Sequence, residues 1–172
     1  VNYTNAPSGT GGGIVTDNAG YIYFIGSLQG IKTFRSSGSG FNPSISANGG
    51  YDLYIAKYKS DGNLCWVKNY GGSGDEYSNR SLMRYDRLYL HLNYDAAFTY
   101  NTYNFPHSGV EDDAMAAFDT SGNMTNTSYI NGSGSKRSSC IAFSNTGKIY
   151  IGGTYNGTAT SGSASISSSS AY

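Results

Sequence analysis

Charge is scarce in this 172-residue chain and neither sign prevails: eleven Lys and Arg balance eleven Asp and Glu, and charged residues are 13% of the whole. Binding to nucleic acid or an anionic membrane calls for a basic field, so nucleic acid is not an expected partner. Cysteine is nearly absent. Cys65 and Cys140 are too few for a disulfide framework and lack metal-ligand spacing. They form either one bridge in an oxidising compartment or two free thiols. No apolar run approaches the roughly 18 residues of a membrane helix. None is longer than that from Tyr21 to Ile25, so membrane insertion is not expected. The two histidines, His91 and His107, belong to no ligand or nucleophile motif. Val1 opens the chain without an initiating Met or a signal peptide, which suggests a processed chain or a fragment.

Leu, Lys and Glu are also sparse, while Gly, Ser, Thr, Asn and Tyr abound. Glycine loses the most backbone entropy in a helix, and Ser, Thr and Asn compete locally for its hydrogen bonds. Tyrosine and β-branched residues favour strands. An all-β protein from outside the cell is the expected class, secreted or held at the cell surface.

The chain repeats itself. Residues 50–74 lie over 110–134 without a gap, placing Asp52 on Asp112, Ile55 on Met115, Tyr58 on Phe118 and Gly62-Asn63 on Gly122-Asn123. A second motif, strand, Asn18-Ala19-Gly20 turn and strand, returns around Asn145-Thr146-Gly147. Between these copies, residues 81–90 fit it loosely, with a shortened turn that lacks its glycine. Each repeat therefore consists of two hairpins, a four-stranded antiparallel unit near the blade size of propeller repeats. Both faces of Asp52 to Tyr58 carry apolar residues, as expected of a strand packed between two neighbouring sheets.

The expected architecture is a partial β-propeller of about two and a half four-stranded blades spanning 1–172. Blade 1 covers about 11–74, blade 2 about 79–134 and a half blade about 138–154, followed by a Ser/Gly-rich loop or linker at 155–172. Roughly ten strands are predicted. Propellers close with about four to eight blades, so the ring or its edge is expected to be completed by the rest of a longer chain or by other subunits.

The residues Asp17, Gly20, Tyr23 and Gly26, followed by Gly50, Tyr51, Asp52, Ala56, Lys57, Gly62, Leu64, Trp66, Gly71 and Gly72, resemble the bacterial β-propeller repeats abbreviated SBBP. The second copy departs at Ala117, Asn126 and Asn131, which stand where the pattern has Lys, Trp and Gly. The resemblance implies secreted or surface-attached bacterial proteins, with binding or scaffolding roles and no shared catalytic residues.

Chemistry is thinly signalled. The acidic clusters Asp75-Glu76 and Glu111-Asp112-Asp113 suit glycosidic cleavage or calcium in principle. A carboxylate recurring beside a turn, as Asp52 and Asp112 do, more commonly accepts backbone N–H bonds. The glycine pairs lack the helix and the Lys-Ser/Thr of a phosphate loop. No catalytic residue, metal site or cofactor is assigned. Phe34, Phe41, Tyr100, Tyr103 and Phe105 lie in the long connections between first and second hairpins, where aromatics make a contact surface for a protein or glycan partner. Glycosylation sequons begin at Asn2, Asn79, Asn123, Asn126, Asn131 and Asn156. The leading expectation is a non-catalytic binding or scaffolding module. The alternatives are a carbohydrate-active propeller enzyme and a structural subunit of a surface fibre or secretion complex.

Overall fold

A computed structural model describes residues 11–38 and 40–168. The first sheet is an antiparallel meander of β1 (Gly11–Thr16), β2 (Ile22–Thr33), β3 (Ser44–Tyr58) and β4 (Leu64–Tyr70), in that order across the sheet. The second sheet contains β5 (Glu76–Tyr77), β6 (Ser81–Arg84) and β7 (Arg87–Tyr94). After a separate small hairpin of β8 (Phe98–Tyr100) and β9 (Tyr103–Phe105), it is completed by β10 (Asp112–Phe118) and β11 (Met124–Ile130). The third unit begins with β12 (Lys136–Phe143) and β13 (Ile149–Tyr155), then a hairpin of β14 (Thr158–Ser161) and β15 (Ala164–Ser167). The all-β class stands and the sheets are antiparallel, but only the first is four-stranded, for the second has five strands with β6 paired to β7 off the main path.

The turns carry the repeat most faithfully. At Asp17–Tyr21, Lys59–Asn63, Asp119–Asn123 and Ser144–Lys148, the first N–H donates to the last carbonyl, and the glycine N–H donates to the first. The glycines at 20, 62, 122 and 147 have φ between 75° and 84°. This is a type I turn followed by a left-handed residue, a conformation in which a Cβ would be strained. The turn without a glycine is a two-residue loop instead, with Tyr85 and Asp86 themselves at φ 49° and 54°. Both second hairpins also bulge at the same place, leaving Cys65 and Thr125 as the extra residues.

The Ser/Gly-rich connections are not plain loops. In the first unit β2 and β3 continue to pair as far as Thr33 and Ser44, while β8–β9 and β14–β15 are hairpins at the corresponding places. That raises the described strands to fifteen, and turns much of the segment expected to be a linker from residue 155 onward into a hairpin. Ser, Thr and Ala dominate β14–β15, whose one apolar face carries only Ala159, Ala164 and Ile166, so pairing rests largely on backbone hydrogen bonds that composition does not reveal.

The core lies between the first two sheets. Tyr23, Ile25, Leu53, Ile55 and Tyr70 from one meet Leu88, Leu90, Leu92, Ala116 and Phe118 from the other in one buried cluster. Every residue of β10 is buried, which is the two-sided burial expected of a strand between packed neighbours. Tyr70 donates from its hydroxyl to Gly122 O at 2.7 Å, and its ring meets Phe118 at 4.8 Å and Tyr100 at 4.9 Å. Lys57 Nζ donates to Thr120 O at 3.0 Å. The turn of the second unit is thereby held on the first sheet. Across the other seam, the start of β12 lies against β7 and β10, as β5 lies against β2 and β3.

Candidate functional site

An aspartate opens the inner half of the third strand in each complete unit. Asp52 and Asp112 are both fully buried. Each Oδ2 accepts the backbone N–H four residues earlier, from Asn48 at 2.9 Å and Ser108 at 2.8 Å. These carboxylates thus tie down the returning chain, the structural role their recurrence implied. Their other oxygens differ. Asp112 Oδ1 receives Lys136 Nζ at 3.0 Å, and the same ammonium donates to Gly134 O at 3.1 Å and to Gly132 O. Asp52 Oδ1 is buried and has no hydrogen-bond partner.

Opposite Asp52 stands Glu76. Strand pairing sets Glu76 against Tyr94 in β7 and Lys136 against Tyr155 in β13, so the two side chains hold the same place in successive seams. Glu76 Oε2 accepts the Gly72 N–H at 3.1 Å, while Oε1 is buried without a partner. Burial pushes the Glu76 carboxyl up to about 8. The Gly72 N–H opposes that shift, and the charges of Asp52, Asp95 and Asp75 add to it. With the folded value above the ordinary 4.5, the folded chain holds this proton more tightly than the unfolded chain does. Its contribution to stability is therefore complete below about pH 4.5 and is lost as pH rises through about 8. In chelator, the melting temperature of the protein is expected to fall between pH 6 and pH 9 more steeply than that of Glu76→Gln. Parallel pH profiles for the two proteins would contradict this.

The second seam contains a buried polar network where the first is apolar. Asp113 accepts from Asn93 and from Ser138, and its Oδ1 lies 2.8 Å from His91 Nε2. In the first seam the corresponding pairing positions are Ile25 and Leu53. Asn93 also donates to Lys136 O at 2.9 Å, and Ser27 repeats this bond by donating to Glu76 O at 3.0 Å. The His91 imidazole and the Ser138 hydroxyl both turn to the same carboxylate rather than to one another. The serine proton is thereby committed to Asp113, whereas a nucleophile relay needs it on an imidazole. Beside this network lies a cavity of about 420 Å³ lined by Lys136, Ser138, Ile151, Tyr155, Ala159 and Ile166 among others. Among the described residues, no three or more His, Cys, Asp or Glu side chains are grouped to hold a metal.

The aromatics expected to form a contact surface are divided by the structure. Phe41 is half exposed on the β2–β3 connection. Phe34 is partly buried and meets Tyr54 edge to face at 5.0 Å. Tyr100 and Tyr103 are partly buried against the core, and Phe105 is fully buried, stacked on Phe98 at 4.3 Å. Phe105 therefore anchors its hairpin from within and offers no surface to a partner in this conformation. Ile31 and Ile166, exposed on the outer hairpins, lie beyond the residues singled out by aromatic content.

Among the sequons, Asn123 and Asn126 are exposed on or beside the second turn. Asn79 Nδ2 is engaged with Asn93 at 3.1 Å, and Asn156 Oδ1 accepts the Ser135 N–H at 2.6 Å. Asn131 is partly buried, and Asn2 lies outside the described residues. Cys65 and Cys140 are both free thiols. No helix among the described residues is long and apolar enough to cross a membrane. No protein-family model matches the chain, and no curated protein is similar to it at a significant level.

Proposed function

We propose that the chain is part of a bacterial β-propeller displayed outside the cell, where it binds or scaffolds rather than catalyses. In this reading each of the two large sheets is a blade, and further blades from the same protein or from other subunits complete the ring. Support comes from the two like sheets packed together and from the start of a third unit with the same turn. The resemblance of the first unit to the SBBP repeats points the same way.

One observation carries the functional half of the proposal. Three hairpins emerge at corresponding places, directly after the second strand of each unit, and they share no sequence pattern. Constant sheets with variable projections are how a rigid scaffold presents recognition surfaces. Ile31, Phe41 and Ile166 supply exposed apolar area on two of those hairpins. The partner is a protein or glycan.

The purified chain would be screened against immobilised surface glycans and extracellular proteins, and the bound class tested with Ile31→Ser and Phe41→Ser. Each is expected to weaken binding about tenfold, the cost of one apolar contact of about 1.4 kcal/mol, with an unchanged melting temperature. Polysaccharide cleavage by the chain, abolished by Glu111→Gln without loss of folding, would overturn the non-catalytic reading in favour of the carbohydrate-active one.

A further inference from the structure

Two successive seams of this molecule contain the same niche with opposite occupants. In the second, Lys136 fills it, and its ammonium is held by Asp112 Oδ1 and the carbonyls of Gly132 and Gly134. In the first, the corresponding groups are Asp52 Oδ1 and the carbonyls of Gly72 and Gly74. The side chain that enters there is Glu76, of the wrong sign for an ion pair. The surrounding bonds repeat as well. Gly50 N–H donates to Gly74 O at 3.0 Å, just as Val110 N–H donates to Gly134 O at 2.9 Å.

What remains unsatisfied in the first niche is specific. Asp52 Oδ1 is the counterpart of the oxygen that Lys136 satisfies, and it has no partner; nor has Glu76 Oε1. Both residues are 0% exposed. Their carboxyls converge, for Asp52 Oδ1 and Glu76 Oε2, the oxygen that accepts the Gly72 N–H, both lie within 2.9 Å of the point where a Cβ on residue 71 would stand, and Gly71 leaves that point open. Two buried, converging carboxyls, each with one unpaired oxygen, form a hard-oxygen donor set whose charge is two when Glu76 is ionised.

We propose that this niche binds a calcium ion, with Asp52 and Glu76 as charged ligands and the Gly72 and Gly74 carbonyls beside them, in the position that the Lys136 ammonium takes one repeat later. Calcium suits the site better than magnesium. It accepts irregular sets of carboxylate and carbonyl oxygens, whereas magnesium demands near-octahedral geometry and keeps its water. The ion pins β3 to β5 and so joins the first sheet to the second, as Lys136 joins the second to the third.

The test is thermal unfolding of the whole chain at fixed pH in chelator and then across a calcium titration, with magnesium in parallel. Calcium is expected to raise the melting temperature in proportion to the logarithm of its free concentration. At about a hundredfold above Kd, the folded-to-unfolded ratio should rise about a hundredfold. Glu76→Lys, which copies the second seam into the first, should melt above the parent in chelator and ignore calcium. Should that variant fail to fold, Glu76→Gln and Asp52→Asn must each lose most of the calcium response. The proposal is overturned if the parent shows no calcium response, if magnesium matches calcium, or if the Glu76 and Asp52 variants keep the full response.

Discussion

Lys136→Met is expected to lower the unfolding free energy by about 3–5 kcal/mol, the usual cost of leaving one member of a buried ion pair without its partner. The side chain is 2% exposed and Asp112 is 0% exposed, so the pair is shielded from bulk water. Methionine retains most of the length and apolar character of the lysine stem, so the loss is electrostatic rather than a cavity. Removal of Nζ strands Asp112 Oδ1 and the Gly132 and Gly134 carbonyls together. Asp112→Asn in the same background should recover part of the loss by discharging the orphaned carboxylate. Chemical denaturation of the parent, both single variants and the double variant measures the coupling directly. A loss below about 1 kcal/mol for Lys136→Met, typical of an exposed pair, would show that the seam is wet.

Phe118→Ala should cost about as much, 3–5 kcal/mol, by a different route: lost burial plus a cavity that rigid neighbours cannot close. Phe118 is fully buried on β10, and its ring meets Tyr70 of the first sheet edge to face at 4.8 Å. Tyr70 is in turn fixed by its bond to Gly122 O and by contact with Tyr100. Sheets cannot move together to fill the space without breaking that bond. Phe118→Leu, which keeps most of the volume, should lose roughly 1–2 kcal/mol. Tyr129→Ala, on the same sheet but 38% exposed, should stay within about 0.5 kcal/mol. Equal effects at Phe118 and Tyr129 would mean that the two sheets do not share a core.

Much of the scaffold is legible in residue order because the signals are local. The four glycine-closed turns, two of them Asn-x-Gly, call for a left-handed glycine whatever surrounds them, and all four form the same hairpin turn. The apolar residues on both faces of Asp52 to Tyr58 mark a strand packed on both sides, where Leu53, Ile55 and Ala56 are buried, and the matching Asp112 to Phe118 is buried throughout. The outer hairpins were less legible. Thr158 to Ser167 reads as a loop or linker because it is rich in Ser and nearly bare of large apolar residues, yet its backbone groups pair in register. Phe105 shows the reverse failure, since an aromatic residue in a connection reads as exposed until its stack on Phe98 is seen.

The candidate cation niche marks a similar boundary. The sixty-residue register, carried two positions past Gly74 and Gly134, already sets Glu76 against Lys136. In one dimension a glutamate facing a lysine looks like decay of the repeat. Glycine-closed turns, strand periodicity and the two-hairpin unit were determined by sequence alone, because each depends on the φ/ψ preference or side-chain polarity of near neighbours. Which carboxylates are buried, which oxygen is left unpaired and which charge enters each seam were decided only by tertiary structure. These depend on residues more than twenty positions apart meeting in a space closed to water, where the energy of a charge is set by its neighbours and not by its own identity.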